Sequence, residues 1–158
     1  APYKRQLSGL IQFADASNAV TATSSVTIST VKEVMRKLWS NNLAEGNYYA
    51  FVNADIKEQI DSIYQDSYGY THKTTDFGLV VESINTNYGV LNVVLSKHVP
   101  VDKMVVFNDT YLSVANLREA HFEPLAKSGD SVKGQVIAES TIKVASKKAV
   151  AVVTLAAE

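Results

Sequence analysis

A quarter of this chain, 40 of its 158 residues, is valine, isoleucine or threonine. Branching at Cβ stiffens χ1 and suits the pleated surface of a sheet, so strands are expected to dominate the fold. Apolar residues make up 46% of the chain, enough for one packed domain that needs no staples. Cysteine is absent, which excludes disulfide frameworks, thiolate metal sites and cysteine nucleophiles together. A formal charge of −1, from 15 Lys+Arg against 16 Asp+Glu, offers no tight electrostatic grip on nucleic acid or anionic lipid. The longest nearly continuous apolar stretch, Ala149 to Ala157, falls far below the ~20 residues a spanning helix needs, so no membrane role is expected. Ala1-Pro2-Tyr3-Lys4-Arg5 has no initiator methionine and no basic lead into an apolar run; the expectation is a chain without a signal peptide from which something upstream was removed.

Along the chain, residues 14 to 27 are mostly Ala, Ser, Thr, Asn and Asp, a composition that reads as a surface loop. A helix is predicted from Thr30 to Ser40, with Thr30 and Glu33 as a capping box, Val31, Val34, Met35 and Leu38 as its apolar stripe, and Trp39 at the stripe's edge. Tyr48 to Val52 reads as a short buried strand. Asp55 and Glu58 suggest a second capping box, opening a helix with Ile56, Ile60, Ile63 and Tyr64 on one face. Asp66 to Asp76 reads as an exposed loop, followed by a hairpin of Leu79 to Ile84 and Val90 to Leu95. Met104 to Phe107 is another strand, and Tyr111 to Leu117 fits strand or helix equally. Arg118 to Gly129 reads as a crossing segment. Val132 to Val144 and Ala149 to Leu155 then make a terminal hairpin. The class is α+β with a mostly antiparallel sheet and two main helices.

Chemistry-bearing patterns are sparse. His72, His98 and His121 have no second histidine at helical spacing, so no pre-paired metal face exists. There is no G-x-S-x-G elbow to select a serine nucleophile. Gly129 to Gly134 has the spacing of a phosphate loop, but Gln135-Val136 stands where the lysine and hydroxyl belong. The tyrosines around Tyr64, Tyr68 and Tyr70 are flanked by Asp61, Asp66 and Asp76 rather than a basic track, which favours packing or subunit contact over base stacking. Asn108-Asp109-Thr110 is a formal glycosylation acceptor and, most simply, a turn. No catalytic residue, cofactor site or metal site is expected.

The last third carries a pattern. Arg118-Glu119-Ala120-His121-Phe122-Glu123-Pro124-Leu125-Ala126-Lys127-Ser128-Gly129-Asp130, then Ile137-Ala138-Glu139-Ser140-Thr141-Ile142-Lys143-Val144, then Lys148-Ala149-Val150-Ala151 resemble the C-terminal part of the major capsid (head) proteins of tailed double-stranded DNA bacteriophages, which have the Hong Kong 97-like fold. Upstream, Arg5 to Leu10, Tyr49 to Asp55 and Asp76 to Ser96 resemble that family more loosely and in the same order.

The resemblance implies a virion protein that self-assembles with copies of itself into an icosahedral shell around DNA. It implies residues 1–28 as part of a peripheral domain and linker, 29–117 as an axial domain, and 118–158 as peripheral-domain strands. It also implies an N-terminal arm, an extended loop and a long helix ahead of residue 1, so that this chain is the core of a longer subunit. Tyr68, Tyr70 and His72 would then face the capsomer axis, and Lys127, Asp130 and Glu139 would meet adjoining subunits. Scaffolding, portal or decoration proteins, non-specific contact with packaged DNA, and assembly in the host cytoplasm are further implications. Two alternatives make different structural demands. A small hydrolase needs a cleft gathering His98 or His121 with carboxylates, and a virion decoration or adhesion module needs a closed β-sandwich.

Overall fold

The computed structural model describes residues 7–68, 82–126 and 129–156, the side chains of 64–68 excepted. Ten elements follow in order: β1 (Val20–Ala22), α1 (Ile28–Ser40), β2 (Tyr48–Val52), α2 (Ala54–Tyr68), β3 (Ser83–Thr86), β4 (Gly89–Leu95), β5 (Lys103–Asn108), β6 (Leu112–Pro124), β7 (Gly134–Val144) and β8 (Val150–Leu155). Six strands form one mixed sheet in the order β1-β8-β5-β2-β4-β3, and β6 pairs with β7 in a separate two-stranded ribbon. Within the large sheet β1 runs parallel to β8 and β2 parallel to β4, and the other three pairings are antiparallel.

Alternation along the central strands splits the core between two faces. Met104 and Val106 of β5 and Ala151 and Val153 of β8 join Ala50, Val52 and Leu91 on one face, covered by Val31, Val34, Met35 and Leu38 of α1 and Ile56 and Ile60 of α2. Their neighbours Val105, Phe107, Val150 and Val152 form the second face. There Leu10 and Ile11, in a 3-10 turn, pack on the sheet together with Leu112 and Val144 from the base of the ribbon.

Five expectations need correction. Residues 14–27 are not simply a surface loop: Val20 to Ala22 pair in register with Val153 to Leu155, and Asn18, Val20, Ala22 and Val26 are buried. α1 opens at Ile28. Its cap is Thr27, whose Oγ1 accepts from Thr30 N–H at 3.3 Å while Thr27 N–H donates to Thr30 Oγ1 at 3.4 Å. Thr30 therefore sits in the first turn as the reciprocal partner, and Glu33 is outside the box. Likewise Asp55 lies inside α2 as its second residue, two positions too late to cap it. Asn53 precedes the helix, its Oδ1 accepting from Ala54 N–H and its Nδ2 donating to the Val99 carbonyl at 3.1 Å. As an acidic group in the first turn, Asp55 instead complements the helix dipole.

The fourth and fifth corrections concern the ribbon. Arg118 to Pro124 is strand, continuing β6 from Leu112. The long hairpin near the C-terminus is consequently β6 with β7, and β8 leaves β7 to pair with β5 and β1. β8 has the reason to do so: Val150 to Val153 are buried on both faces, which only the interior of a sheet provides.

Candidate assembly surfaces

The ribbon's register changes character along its length. Near its base Leu112 faces Val144 and Val114 faces Ile142. Register shifts then intervene between Asn116 and Arg118 and between Arg118 and His121, irregularities of the kind that increase local twist. Every β6 residue from Asn116 to Pro124 is exposed. Beyond the shifts Phe122 faces Val136 and Pro124 faces Gly134. The Phe122 ring lies across Gly134, where an added Cβ would fall 2.0 Å from Phe122 Cζ. A glycine thus lets an aromatic ring cover the opposite strand's backbone.

Of the residues expected at interfaces, Glu139 is in β7, half-buried, and paired with Arg118 at 3.8 Å. An ion pair this long with an exposed arginine contributes about 0–1 kcal/mol. Glu139 also lines, with Leu7, Ala115 and Leu117, a shallow cleft of about 690 Å³ on the ribbon. Asp130 is exposed in the β6–β7 turn. Tyr68 is the last residue of α2. Tyr70, His72 and Lys127 lie outside the described residues, as does most of the expected loop from Asp66 to Asp76. Asp130 and Glu139 belong to one ribbon; Tyr68 belongs to the large domain.

Neither alternative finds its geometry among the described residues. His121 is exposed on β6 with Nδ1 3.0 Å from the Glu119 carbonyl, and His98 is exposed in the β4–β5 connection; neither has a hydrogen bond or ion pair with a carboxylate among the described residues. No group of three or more His, Asp or Glu could hold a metal there. Among the described residues, no helix is long and apolar enough to cross a membrane. The large sheet is covered by helices on one face, which is not a closed β-sandwich. The Asn108-Asp109-Thr110 segment is a turn, with Asn108 Oδ1 accepting from Thr110 N–H at 3.0 Å.

Sequence reasoning passed over Phe122 and Val136, 65% and 71% exposed. Their signal was available: Pro124 and Gly134, both poor strand formers, bracket the ribbon's outer end and bring Phe122 against Val136.

A family model described as SU10 major capsid protein matches residues 1–157. No curated protein matches the chain in sequence. Among solved structures, the capsid of cyanophage P-SCSP1u is similar with a TM-score of 0.61 at 14% identity, covering 94% of this chain and 59% of that one. The holo-SrpI encapsulin complex from Synechococcus elongatus PCC 7942 is similar with a TM-score of 0.62 at 9% identity, covering 92% and 55%. Mycobacterium phage Patience gives a TM-score of 0.55 at 15% identity, covering 90% and 49%. At these identities the likeness is one of fold, the Hong Kong 97-like fold of phage capsids and encapsulins. The chain spans about half to three-fifths of the length of these structures.

Proposed function

The chain belongs to the SU10 major capsid protein family, and on that premise we propose that it is the core of a subunit that assembles with copies of itself into a phage head. One observation of the geometry carries the reading. Val114, Leu117, Phe122, Leu125, Val132 and Val136, all on the ribbon or its turn, are each 45% or more exposed. Isolated exposed apolar residues are ordinary, but six on one projecting element mark a surface meant to be covered. A closed shell supplies the cover, because each subunit must offer several patches that complement its neighbours and bury about 1,600 Å² per standard interface.

In this reading the large sheet with α1 and α2 corresponds to the axial domain, and the ribbon to the peripheral one. We take β8, which pairs in the large sheet, with the axial domain, and set the boundary at the two ends of the ribbon rather than at residue 118. Tyr68, Tyr70 and His72 lie toward the capsomer axis, and Lys127, Asp130 and Glu139 meet neighbours through the ribbon. The role is structural rather than catalytic. Packaged DNA meets the inner surface without sequence reading, and scaffolding, portal or decoration proteins are the remaining partners, with assembly in the host cytoplasm.

The test is expression with the upstream coding sequence restored, followed by electron microscopy of the purified product. Closed shells or capsomers are expected. A well-folded full-length product that remains monomeric at high concentration refutes the assignment.

A further inference from the structure

A second surface lies away from the ribbon, where the end of α1, the connection into β2 and the β3–β4 turn enclose a cleft of about 680 Å³. Trp39, Tyr48 and Tyr88 line it, together with Asn42, Asn87 and Glu45. The indole of Trp39 is 62% exposed, and its centroid stands 5.8 Å from that of Tyr88 with the planes at 45°. Tyr48 and Tyr88 are packed against the core, so two of the three rings are held in place. Gly89, at φ +128°, brings the turn close to Tyr48: a Cβ there would approach the ring to 3.3 Å. No lysine or arginine lines the cleft. Among the described residues the Glu45 carboxylate makes no hydrogen bond or ion pair.

We propose that this cleft receives a cationic side chain, lysine or arginine, presented by a second copy of the chain. Three aromatic rings line one opening; a cation seated over a ring face is attracted by the ring quadrupole, and the adjacent carboxylate adds a full charge, a combination that favours a cation over a neutral group of the same shape. Lys32 and Arg36 border the adjoining cleft, which shares Asn87 and Tyr88, so Glu45 is the only charged residue lining this one. The Tyr48 hydroxyl is held above its usual range, first by burial, against the lowering effect of its hydrogen bond with Asn108, and then by the negative charge of Glu45 and by Tyr111. The choice of a second copy rests on the shell-subunit reading. Rotation into a closed ring joins unlike patches, so a cleft on one copy meets a different surface on the next. Exposed Lys32, Arg36, Lys143, Lys147 and Lys148 supply the complementary charge, and Trp, Tyr and Arg are the side chains that dominate interface energetics.

Trp39 is the only tryptophan in the chain, so its emission reports occupancy without a label. Titration with N-acetyl-arginine amide is expected to give a saturable change that the uncharged citrulline counterpart does not, and E45Q is expected to weaken the apparent affinity roughly threefold to tenfold. An equal response to both probes, no saturable response, or an E45Q variant indistinguishable from wild type overturns the cation site. The occupant is tested in the full-length chain. E45K shells are expected to form less readily than wild-type shells and to dissociate at lower salt; equal yield and salt resistance overturn the second copy as partner. If wild-type full-length chain forms no shells at all, the shell-subunit reading fails and the second copy with it, while the titration still decides the chemistry of the cleft.

Discussion

Asn18 is the residue whose removal distinguishes an anchored N-terminal segment from a loose one. Its side chain is 1% exposed and lies between α1 and the start of β8. Nδ2 donates to the carbonyls of Lys148 at 2.8 Å and Val150 at 3.1 Å, and Oδ1 accepts from Asn41 Nδ2 at 2.9 Å. In Asn18→Ala all three bonds vanish. The Lys148 carbonyl keeps a donor in Asn41 Nδ2 at 3.0 Å, so the loss is about two net bonds and some desolvation, roughly 2–3 kcal/mol. For a domain of this size that lowers Tm by roughly 4–12 °C. Asn18→Asp should be worse than alanine, because it turns an acceptor and a charge toward two carbonyls. Urea unfolding followed by circular dichroism measures both, with an unchanged m-value showing that stability alone has moved. The reasoning is refuted if Asn18→Ala stays within about 0.5 kcal/mol of wild type, the range of an ordinary surface change, or if aspartate proves milder than alanine.

Leu38→Ala, which empties a fully buried position of α1, is expected to cost about 2–5 kcal/mol in the same unfolding assay. Gly134→Ala should displace the exposed Phe122 ring while costing the isolated chain less than about 1 kcal/mol; its effect should appear instead as a lower yield of shells from the full-length protein under the electron microscope. Asp15 is held below its usual 3.8, first by the Ser17 backbone N–H, then by the Ser17 hydroxyl, with Lys148 and Lys147 adding to both against a small opposing effect of burial. A depressed folded value stabilises above the unfolded one and is lost as pH falls through the folded one, so Asp15→Ala should flatten the acid limb of a stability-versus-pH curve below about pH 4.

What could be read from residue order differed sharply between elements. α1, β2, α2 and β5 were legible because each buries a regular stripe or a short apolar run; the β3–β4 hairpin was legible in kind only, since Asn85 and Thr86, expected in its turn, pair within β3 and Leu79 to Val81 lie outside the described residues. β6 was not: with both faces of the ribbon in solvent beyond Asn116, no alternation marks Arg118 to Pro124 as strand. β1 does alternate, Val20 and Ala22 inward and Thr21 outward, but three small residues among serines and alanines carry too little apolar weight to stand out. The pairing of β8 was illegible for a different reason. Proximity in sequence favours a hairpin with β7, whereas burial of Val150 and Val152 on one face and Ala151 and Val153 on the other requires neighbours on both sides. The aromatic cleft depends on rings drawn from α1, β2 and the β3–β4 turn, a convergence that exists only once the sheet order is known.

That sheet order has a mechanical consequence. β5 and β8 are hydrogen-bonded partners, Phe107 opposite Val150, and the whole ribbon is spliced between them, pinched at its root where Ala145 N–H donates to the Tyr111 carbonyl at 2.9 Å. Cut it away at that root and β5–β8 becomes an ordinary hairpin with every ladder bond retained. The ribbon is thus a cantilever bolted to two adjacent beams of the sheet. It can lengthen or shed residues beyond Leu112 and Val144, which pack its base on the sheet, without disturbing a ladder bond of the sheet beneath.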